Sequence, residues 1–283
     1  METLTTVAQV QAFSKRLARE GKTLALVPTM GFLHQGHQSL IREGARRCDV
    51  VAATIFVNPS QFGPTEDLSR YPRDLEGDVK KCADAGAAVV FAPVPAEVYP
   101  PGYQTWVEVE RVSQGLCGDR RPGHFRGVAT VVTKLLAMFR PDVALFGEKD
   151  FQQLQVIRAL NADLNLGVSI VGMPTVREAD GLAMSSRNAY LSAADRQRAL
   201  AISQGLRESQ AQAARGEARA ATLIQTVQRA LATANIREDY VELREASTLQ
   251  PIDTLRSGAE ARLLVAGFLG STRLIDNMPL VLP

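Results

Sequence analysis

Apolar residues in the first part of the chain follow two different spacings, which predict helices that alternate with buried strands. Between Thr6 and Glu20 the apolar residues stand three or four positions apart, behind a Thr6–Gln9 pair typical of a helix start. The run Leu24–Val27 is instead continuously apolar, as in a strand that is covered on both faces. The alternation continues with predicted helices at 37–47, 75–85, 128–139 and 151–164, and predicted strands at 50–57, 88–92, 143–146 and 168–171.

This alternation predicts the fold class. Strands that alternate with helices pair in parallel through crossover connections, so residues 1–175 are expected to form an α/β domain with a doubly wound parallel sheet. Residues 176–283 change to a polar segment, two helices and three apolar runs, which predict a smaller α+β domain. The helices are predicted at 193–214 and 218–234, and the strands at 240–243, 262–268 and 273–275. Ligands of doubly wound sheets bind beyond the carboxyl ends of the strands.

Composition and charge exclude several classes of protein. The 283 residues are 46% hydrophobic and 22% charged, which is typical of a globular protein and excludes a disordered or fibrous chain. A net charge of +2 is too small for a surface that binds nucleic acid or membranes, so we expect small-molecule partners. Three cysteines without CxxC spacing favour a reducing compartment, and no signal peptide or membrane-spanning run is recognised, so we expect a cytoplasmic protein.

The first loop between a predicted strand and a predicted helix, residues 28–37, contains two of the three histidines. It matches neither GxGxxG nor GxxxxGK[ST], but it places His34 and His37 three residues apart at a helix start. Side chains at this spacing share a face, and a helix N-terminus attracts anions, so the pair indicates a phosphate site that Gly31 and Gly36 leave open to a nucleotide. The alternative is a pair satisfied by local hydrogen bonds. A metal pair is disfavoured, because HExxH spaces its histidines four residues apart and includes a glutamate.

Two further strand ends carry polar side chains. Asn58 and Gln61 follow the second strand, where their amides can orient a substrate that carries hydroxyl and carboxylate groups, or form an ordinary turn. Lys149 follows a later strand and offers a cation to phosphate oxygens. Asp150 can bind ribose or Mg²⁺ or simply cap the helix, and Gln153 lies one turn further along.

Two polar segments lie outside these strand ends. Residues 184–188 read Met-Ser-Ser-Arg-Asn, and such a loop can close over a triphosphate from the second domain, although surface loops of this composition are common. The third histidine, His124, is expected in a separate polar loop.

Together, these motifs and their order resemble the pantothenate synthetase family of pantoate–β-alanine ligases. The motifs that carry the resemblance are PTMGFLHQGH (28–37), FVNPSQFG (56–63), YPRD (71–74), RPGHF (121–125), FGEKDFQQL (146–154) and PTVREADGLAMSSRNAYLS (174–192). The family belongs with the nucleotidyltransferases that resemble class I aminoacyl-tRNA synthetases, whose HIGH-type and KMSKS-type motifs would be residues 34–37 and 184–187. The resemblance therefore implies that residues 1–175 form a Rossmann-like domain that binds ATP and pantoate. It implies that residues 176–283 form a lid over the ATP site.

The resemblance implies the ATP-dependent condensation of (R)-pantoate with β-alanine to pantothenate, AMP and pyrophosphate through a pantoyl adenylate. The pantoate carboxylate must be activated as an adenylate because oxide is a poor leaving group, whereas AMP leaves readily. No covalent enzyme intermediate is required, in keeping with a sequence that has no recognisable Ser/His/Asp or Cys/His arrangement. The resemblance also implies Mg²⁺ with the ATP phosphates and a homodimer.

Residue roles follow from the same resemblance. It implies that His34 and His37 contact the phosphates, with His37 as proton donor. The residues implied to stabilise the pentacovalent phosphorus are Lys149, Ser185, Ser186 and Arg187. Further nucleotide contacts are implied for Met30, Gly31, Gly36, Gly147, Glu148, Asp150, Val176 and Met184. Gln61 and Gln153 match the glutamines that hold pantoate, with Met30 and Asn58 nearby, and Arg121 matches a residue on the phosphate or β-alanine side.

One departure from the family pattern concerns the metal. The resemblance implies an acidic pair after YPR that helps to hold the metal in some members. Here the segment reads Asp74-Leu75-Glu76-Gly77-Asp78, so Gly77 breaks the pair and Asp78 is the candidate ligand. The spacing of Asp74 and Asp78 also fits a plain solvated helix face.

Three other functions remain open from the residues alone. One is an adenylyltransferase of the same fold with a phosphorylated acceptor, which would need further cations and would not explain Gln61 together with Gln153. The second is a metal-dependent hydrolase that uses His34 and His37, and the third is a noncatalytic nucleotide-binding regulator.

Overall fold

The computed structural model describes residues 1–283 and contains nine strands and nine helices. The strands are β1 (Glu2–Leu4), β2 (Leu24–Thr29), β3 (Val50–Ile55), β4 (Val89–Phe91), β5 (Val143–Gly147), β6 (Ser169–Met173), β7 (Arg237–Glu245), β8 (Ala261–Leu269) and β9 (Thr272–Leu280). The helices are α1 (Val7–Arg19), α2 (Gln35–Arg47), α3 (Leu75–Asp84), α4 (Pro95–Val98), α5 (Leu116–Arg120), α6 (His124–Phe139), α7 (Phe151–Asp163), α8 (Ala193–Ala214) and α9 (Ala220–Thr233). Short 3-10 turns lie at Pro59–Gln61, Arg111–Ser113, Glu148–Asp150 and Ser186–Tyr190.

The chain divides into two compact units. The first unit comprises Met1–Glu148 and Gln152–Pro174, and the second unit comprises Lys149–Phe151 and Thr175–Pro283. The sequence places a domain boundary at residue 175 but does not predict that a segment as short as Lys149–Phe151 groups with the second unit. That segment carries Lys149, one of the candidate phosphate-binding residues.

The first unit is built on a six-stranded sheet with the strand order β1-β4-β3-β2-β5-β6. Every pairing in it is parallel, which confirms the predicted doubly wound parallel sheet. Strand β2 pairs with β3 along its whole length on one side, and its Ala25 pairs with Val143 of β5 on the other. The strand order reverses between β2 and β5, and such a point opens a crevice at the carboxyl ends of the strands. The loops after these two strands are therefore placed to bind a ligand.

The predicted helices and strands are all present, and local chemistry explains their bounds. Helix α1, for example, starts at the predicted capping box, in which the Thr6 side chain accepts from the Gln9 N–H, and it buries Val10, Phe13 and Leu17. The core of the sheet lies in β2, whose residues Ala25, Leu26 and Val27 are fully buried. Full burial of an aliphatic side chain such as Leu26 stabilises the fold by about 1.5–3 kcal/mol.

Three short elements and one helix start differ from the sequence prediction. Strand β1 and helices α4 and α5 have five residues or fewer, too few for a periodic pattern. Helix α6 begins at His124, so the expectation of His124 in a polar loop is wrong. The reason is Gly123, which has a positive φ of 81° and turns the chain directly into the helix. His124 is thereby buried in the first helical turn.

The second unit contains a three-stranded antiparallel sheet in the order β7-β8-β9. The helices α8 and α9 pack on one another, and Gly205 of α8 permits the close approach, because a Cβ there would lie 3.1 Å from the Val227 Cα. Two helices followed by consecutive strands confirm the predicted smaller α+β arrangement. None of the helices in the chain is long and apolar enough to cross a membrane.

Candidate active site

The two histidines of the loop after β2 cap the first turn of α2. His34 is the N-cap residue, and its Nδ1 accepts a hydrogen bond of 3.2 Å from the Gly36 N–H. The Nδ1 of His37, at the third helical position, accepts from the His34 N–H at 3.3 Å. The ring centroids are 4.1 Å apart. The predicted placement of the pair at a helix start is therefore confirmed, together with the local hydrogen bonds that were the alternative interpretation.

These hydrogen bonds determine the tautomer of each neutral imidazole. A ring nitrogen that accepts a hydrogen bond carries no proton, so the proton of neutral His34 and of neutral His37 lies on Nε2. Both histidines are half-buried, and an Nε2–H group can donate to an anionic oxygen. Local bonding and phosphate binding are therefore compatible, because each uses a different nitrogen of the ring.

The loop that leads to the histidines has an unusual backbone. Gly31 has a φ of 88°, and the next residue, Phe32, has a φ of 49°, a value that residues with a Cβ seldom adopt. A Cβ at Gly31 would lie 3.0 Å from Oδ2 of Asp78 and 3.1 Å from Cγ2 of Ile55, so glycine is required here on two grounds. The Gly31 N–H is held by the Thr29 hydroxyl at 3.2 Å. The entry to the histidine pair is thus tightly constrained.

Asp78 of α3 contacts this loop and not solvent. Its side chain is 1% exposed, so the solvated-face interpretation is wrong for Asp78. Asp74 is half exposed, but it is the N-cap of α3 and accepts from the Gly77 N–H. The Asp78 carboxylate accepts from the N–H groups of Phe32 at 2.6 Å and Leu33 at 2.7 Å. No three His, Cys, Asp or Glu residues of the chain group together as a set of metal ligands. Magnesium binding by Asp78 stays a prediction.

The two predicted amides after β3 contact one another. Asn58 is 1% exposed, and its Nδ2 donates to Oε1 of Gln61 at 3.0 Å and to the carbonyl of Gly127 at 3.2 Å. The Nε2 of Gln61 in turn lies 3.2 Å from the Met30 sulfur. Met30, Asn58 and Gln61 are therefore brought together as predicted, and the contacts of Asn58 orient the Gln61 carboxamide.

The acceptor oxygen of Asn58 is also fully used. It accepts from the hydroxyls of Ser60 and Tyr99, each at 2.9 Å. Burial raises the pKa of the Tyr99 hydroxyl to about 12, so this donor keeps its proton at any physiological pH. A buried amide with donors and acceptor all bonded is a rigid support, a role for Asn58 that was not predicted from the sequence.

Arg121 forms a bidentate ion pair with Glu66, with Nε–Oε1 and Nη2–Oε2 distances of 2.7 and 2.6 Å. Burial alone would raise the pKa of Glu66, but the hydrogen bonds and the charge of Arg121 outweigh it and lower that pKa. The Nη1 of Arg121 lies 3.0 Å from Nε2 of His124, and His124 Nδ1 lies 2.9 Å from the carbonyl of Gln61. Glu66 thus holds the guanidinium of Arg121, and His124 joins Arg121 to the main chain of Gln61. Neither Glu66 nor His124 was predicted from the sequence as part of the site.

The carboxyl end of β5 carries Gly147 and Glu148, and the first turns of α7 carry Gln153. A Cβ at Gly147 would have no atom within 4 Å, so the packing of the protein itself does not require glycine there. An open backbone at a strand end allows a ligand to approach closely. Glu148 and Gln153 are half-buried in the same unit.

The second unit carries the remaining predicted residues. The ammonium of Lys149 lies 3.7 Å from Oδ2 of Asp150, and its side chain is mostly buried. Ser185 caps the 3-10 turn Ser186–Tyr190, with its hydroxyl accepting from the Arg187 N–H at 3.2 Å. The loop before this turn is closed by the hydrogen bond from the Met184 N–H to the Val176 carbonyl.

A second set of contacts fixes the Ser185–Arg187 turn. The Asn188 Nδ2 donates to Glu178 at 2.9 Å and to the Ala183 carbonyl at 3.0 Å. Glu178 is also paired with Arg196 at 2.7 Å. Two hydroxyls and a guanidinium are therefore presented by a loop with defined hydrogen bonds at both ends.

Comparisons with known proteins identify the family of the chain. The family model for pantoate-beta-alanine ligase matches residues 2–279. The pantothenate synthetase of Myxococcus xanthus is 68% identical over 278 residues, covering 98% of this chain and 95% of the relative. A crystal structure of the Thermus thermophilus pantothenate synthetase superposes with a TM-score of 0.93 at 44% identity, covering both chains completely. A structure of the Francisella tularensis pantoate-beta-alanine ligase, complexed with beta-gamma ATP and beta-alanine, gives 0.82 at 32% identity, covering 98% of this chain and 97% of that one. With the histidine pair, the amide pair and the parallel sheet in place, the chain belongs to the pantoate–β-alanine ligase family.

Proposed function

We propose that this chain joins (R)-pantoate to β-alanine at the expense of ATP and releases pantothenate, AMP and pyrophosphate. The observation that carries the proposal is the histidine pair, whose Nδ1 atoms both accept main-chain N–H groups in a chain that matches the ligase family over residues 2–279. Two Nε2–H donors on neighbouring rings suit the oxygens of a polyphosphate.

The reaction runs in two steps because the pantoate carboxylate has no good leaving group. In the first step a carboxylate oxygen bonds to the α-phosphorus of ATP, and pyrophosphate leaves with the electrons of the broken P–O bond. In the second step the unprotonated amine of β-alanine bonds to the acyl carbon, AMP leaves, and the nitrogen gives up a proton. No bond to the protein forms in either step. Catalysis then consists of positioning and charge stabilisation.

In the first unit we assign the phosphates to His34 and His37, with His37 as proton donor. Met30, Gly31, Gly36, Gly147 and Glu148 are proposed to contact the nucleotide. For pantoate we propose the carboxamides of Gln61 and Gln153, which donate and accept at once and therefore suit hydroxyl and carboxylate groups. The contacts of Asn58 support an indirect role, because its amide orients Gln61. Arg121 is proposed for the β-alanine side.

In the second unit we assign charge stabilisation at phosphorus to Lys149, Ser185, Ser186 and Arg187. Two cations and two hydroxyls match the charge that develops on the phosphoryl oxygens. Asp150, Val176 and Met184 are proposed as further nucleotide contacts. The function of residues 176–283 as a lid over ATP stays a prediction.

Three further features belong to the proposal. Magnesium is proposed to enter as MgATP, held by the phosphate oxygens of the substrate. A homodimer is proposed from the family resemblance, and a cytoplasmic location from the cysteine content, with three free thiols in the chain. No nucleic-acid or membrane partner is proposed.

The experiment that tests the function is pyrophosphate release by the purified protein with MgATP and (R)-pantoate, with and without β-alanine, followed by mass analysis of the products. We expect pantothenate and AMP in equal amounts when both substrates are present. Without β-alanine we expect one pyrophosphate per active site, since the adenylate stays bound.

The matched control is His37→Ala, which we expect to abolish adenylate formation while the protein remains folded. His37 is only half-buried, and a half-buried position in the first turn of a helix tolerates alanine better than a core position does. If the wild-type protein binds ATP but neither pantoate nor β-alanine supports turnover, the proposed reaction is wrong and another acceptor must be sought.

A further inference from the structure

The carboxylate of Asp78 bridges two consecutive main-chain N–H groups at the entry to the histidine pair. Its Oδ2 accepts from Phe32 at 2.6 Å and its Oδ1 from Leu33 at 2.7 Å, across 46 and 45 residues of sequence. The side chain is 1% exposed. Charge-assisted hydrogen bonds of this length in a buried place are among the stronger polar contacts in a protein.

The backbone that Asp78 holds is one that the sequence does not favour by itself. Gly31 and Phe32 both have positive φ values, and the left-handed conformation is unfavourable for a non-glycine residue such as Phe32. Such a conformation persists only where the surroundings stabilise it. Successive N–H groups in a turn form a concavity that attracts an anion, and here Asp78 is that anion.

The same contacts argue against Asp78 as a metal ligand. Each of its oxygens already accepts an N–H, and the ammonium of Lys81 lies 3.6 Å from Oδ1. Lys81 also lies over the Phe32 ring, 5.9 Å from its centroid, so its charge is directed towards this turn. A divalent cation at Asp78 would lie close to a like charge, and the chain supplies no set of three ligands to offset that repulsion.

We propose that Asp78 is a positioning residue: its carboxylate fixes the Gly31–Leu33 turn and thereby the first turn of α2, in which His34 and His37 are held. It is not a ligand of the magnesium that accompanies ATP. The consequence for catalysis rests on the proposed function, whereas the consequence for the turn does not.

The experiment measures amide hydrogen exchange of Phe32 and Leu33 by NMR in protein free of metal and nucleotide. In the wild type we expect both amides to exchange at least about tenfold more slowly than exposed loop amides, because both are bonded to a buried carboxylate. In Asp78→Asn we expect exchange at both amides to rise about tenfold or more, since the amide retains only one acceptor oxygen. The matched control, Glu76→Gln, removes an exposed carboxylate from the same helical turn and should leave exchange unchanged.

A second measurement separates positioning from metal binding. Pyrophosphate release is followed against magnesium concentration at fixed ATP. Asp78→Asn should lower kcat about tenfold or more without moving the magnesium concentration for half-activation by more than about twofold. Asp78→Glu keeps a carboxylate that a metal accepts but is one methylene too long for both N–H groups, so it should also lose activity.

Each outcome decides the matter. If the half-activating magnesium concentration rises in Asp78→Asn while amide exchange stays at the wild-type rate, Asp78 is a metal ligand and the proposal is overturned. If Asp78→Asn does not fold, the wild-type exchange rates and the activity of Asp78→Glu still test the proposal. Fast exchange of the Phe32 and Leu33 amides in the wild type would overturn it. If the proposed function is wrong, the wild-type protein shows no turnover, and the amide-exchange result still tests the role of Asp78 in the turn.

Discussion

The side-chain amide of Asn277 donates a hydrogen bond of 3.0 Å to the main-chain carbonyl of Lys149. Asn277 lies in β9 and is 3% exposed, and its own oxygen accepts from Arg262 of β8 at 3.1 Å. The guanidinium of Arg262 also lies 4.2 Å from the centroid of the Phe151 ring. Two neighbouring strands of the second unit therefore hold the segment Lys149–Phe151. This explains why a short segment that follows β5 groups with the C-terminal sheet.

Replacement of Asn277 should reduce catalysis through Lys149. Asn277→Asp preserves the acceptor for Arg262 but sets a carboxylate oxygen against the Lys149 carbonyl. The variant loses this partly buried hydrogen bond, which should let the Lys149 segment shift, so we expect kcat for pyrophosphate release to fall about tenfold or more. The measurement is steady-state kinetics together with thermal unfolding. A lower unfolding midpoint with unchanged kcat would show that the contact serves stability alone.

The two roles of His34 can be separated by substitution. His34→Ala removes both the N-cap acceptor and the Nε2 donor, and should lower the free energy of unfolding by about 1 kcal/mol as well as activity. His34→Asn restores a preferred N-cap acceptor without the second nitrogen. We therefore expect His34→Asn to unfold near the wild-type temperature but to form pantoyl adenylate at least about a hundredfold more slowly. Adenylate formation that recovers together with stability would exclude a phosphate contact by His34.

The Arg121–Glu66 pair predicts a dependence of stability on pH. The pKa of Glu66 is lower in the folded protein than in the unfolded chain. The ion pair therefore contributes fully to the free energy of unfolding above the ordinary glutamate pKa of about 4.3, and this contribution is lost as pH falls through the lower folded pKa. Glu66→Gln should accordingly be less stable than the wild type near neutral pH. The difference in free energy of unfolding should shrink as the pH drops below about 4. Urea denaturation from neutral to acidic pH checks this, and a constant difference would contradict the assigned cause.

The sheet could be predicted from the sequence because the signals for its strands lie in neighbouring positions. A continuous apolar run such as Leu24–Val27 predicts a covered strand from neighbouring positions alone, and the capping box at Thr6 marks a helix start within four residues. The histidine pair is equally local, since three residues separate its members. Strand β1 is too short for such a signal and depends on pairing with β4.

The supports of the site could not be predicted, because their contacts join distant parts of the chain. Asp78 reaches Phe32 across 46 residues, and Asn277 reaches Lys149 across 128. An aspartate in a helix has the same local pattern whether it faces water or a buried loop, which is why Asp78 was open to a solvated-face interpretation. Only the fold shows which N–H groups it meets.

Gly127 offers a final test of how Gln61 is held. A Cβ at Gly127 would lie 2.3 Å from the Ser60 carbonyl oxygen and 2.7 Å from the Gln61 Cα, both main-chain atoms. Alanine usually stabilises a helix interior by about 1 kcal/mol relative to glycine. A lower unfolding free energy in Gly127→Ala must therefore come from this contact. We expect a loss of about 1–3 kcal/mol in unfolding free energy and a KM for pantoate raised about tenfold, since the Gln61 main chain must move.

The matched control is Gly63→Ala, in which the new Cβ would meet its nearest atom, in Glu66, at an ordinary 3.7 Å. It lies in the same loop as Gln61, and we expect its unfolding free energy to change by no more than about 0.5 kcal/mol. Pantoate KM and urea denaturation are measured for both variants. If the pantoate KM and the unfolding free energy change equally in the two variants, the close approach of α6 to Ser60 does not position Gln61. A KM effect confined to Gly127→Ala would show that the closeness of two main chains, which only glycine permits, holds the pantoate-binding carboxamide in place.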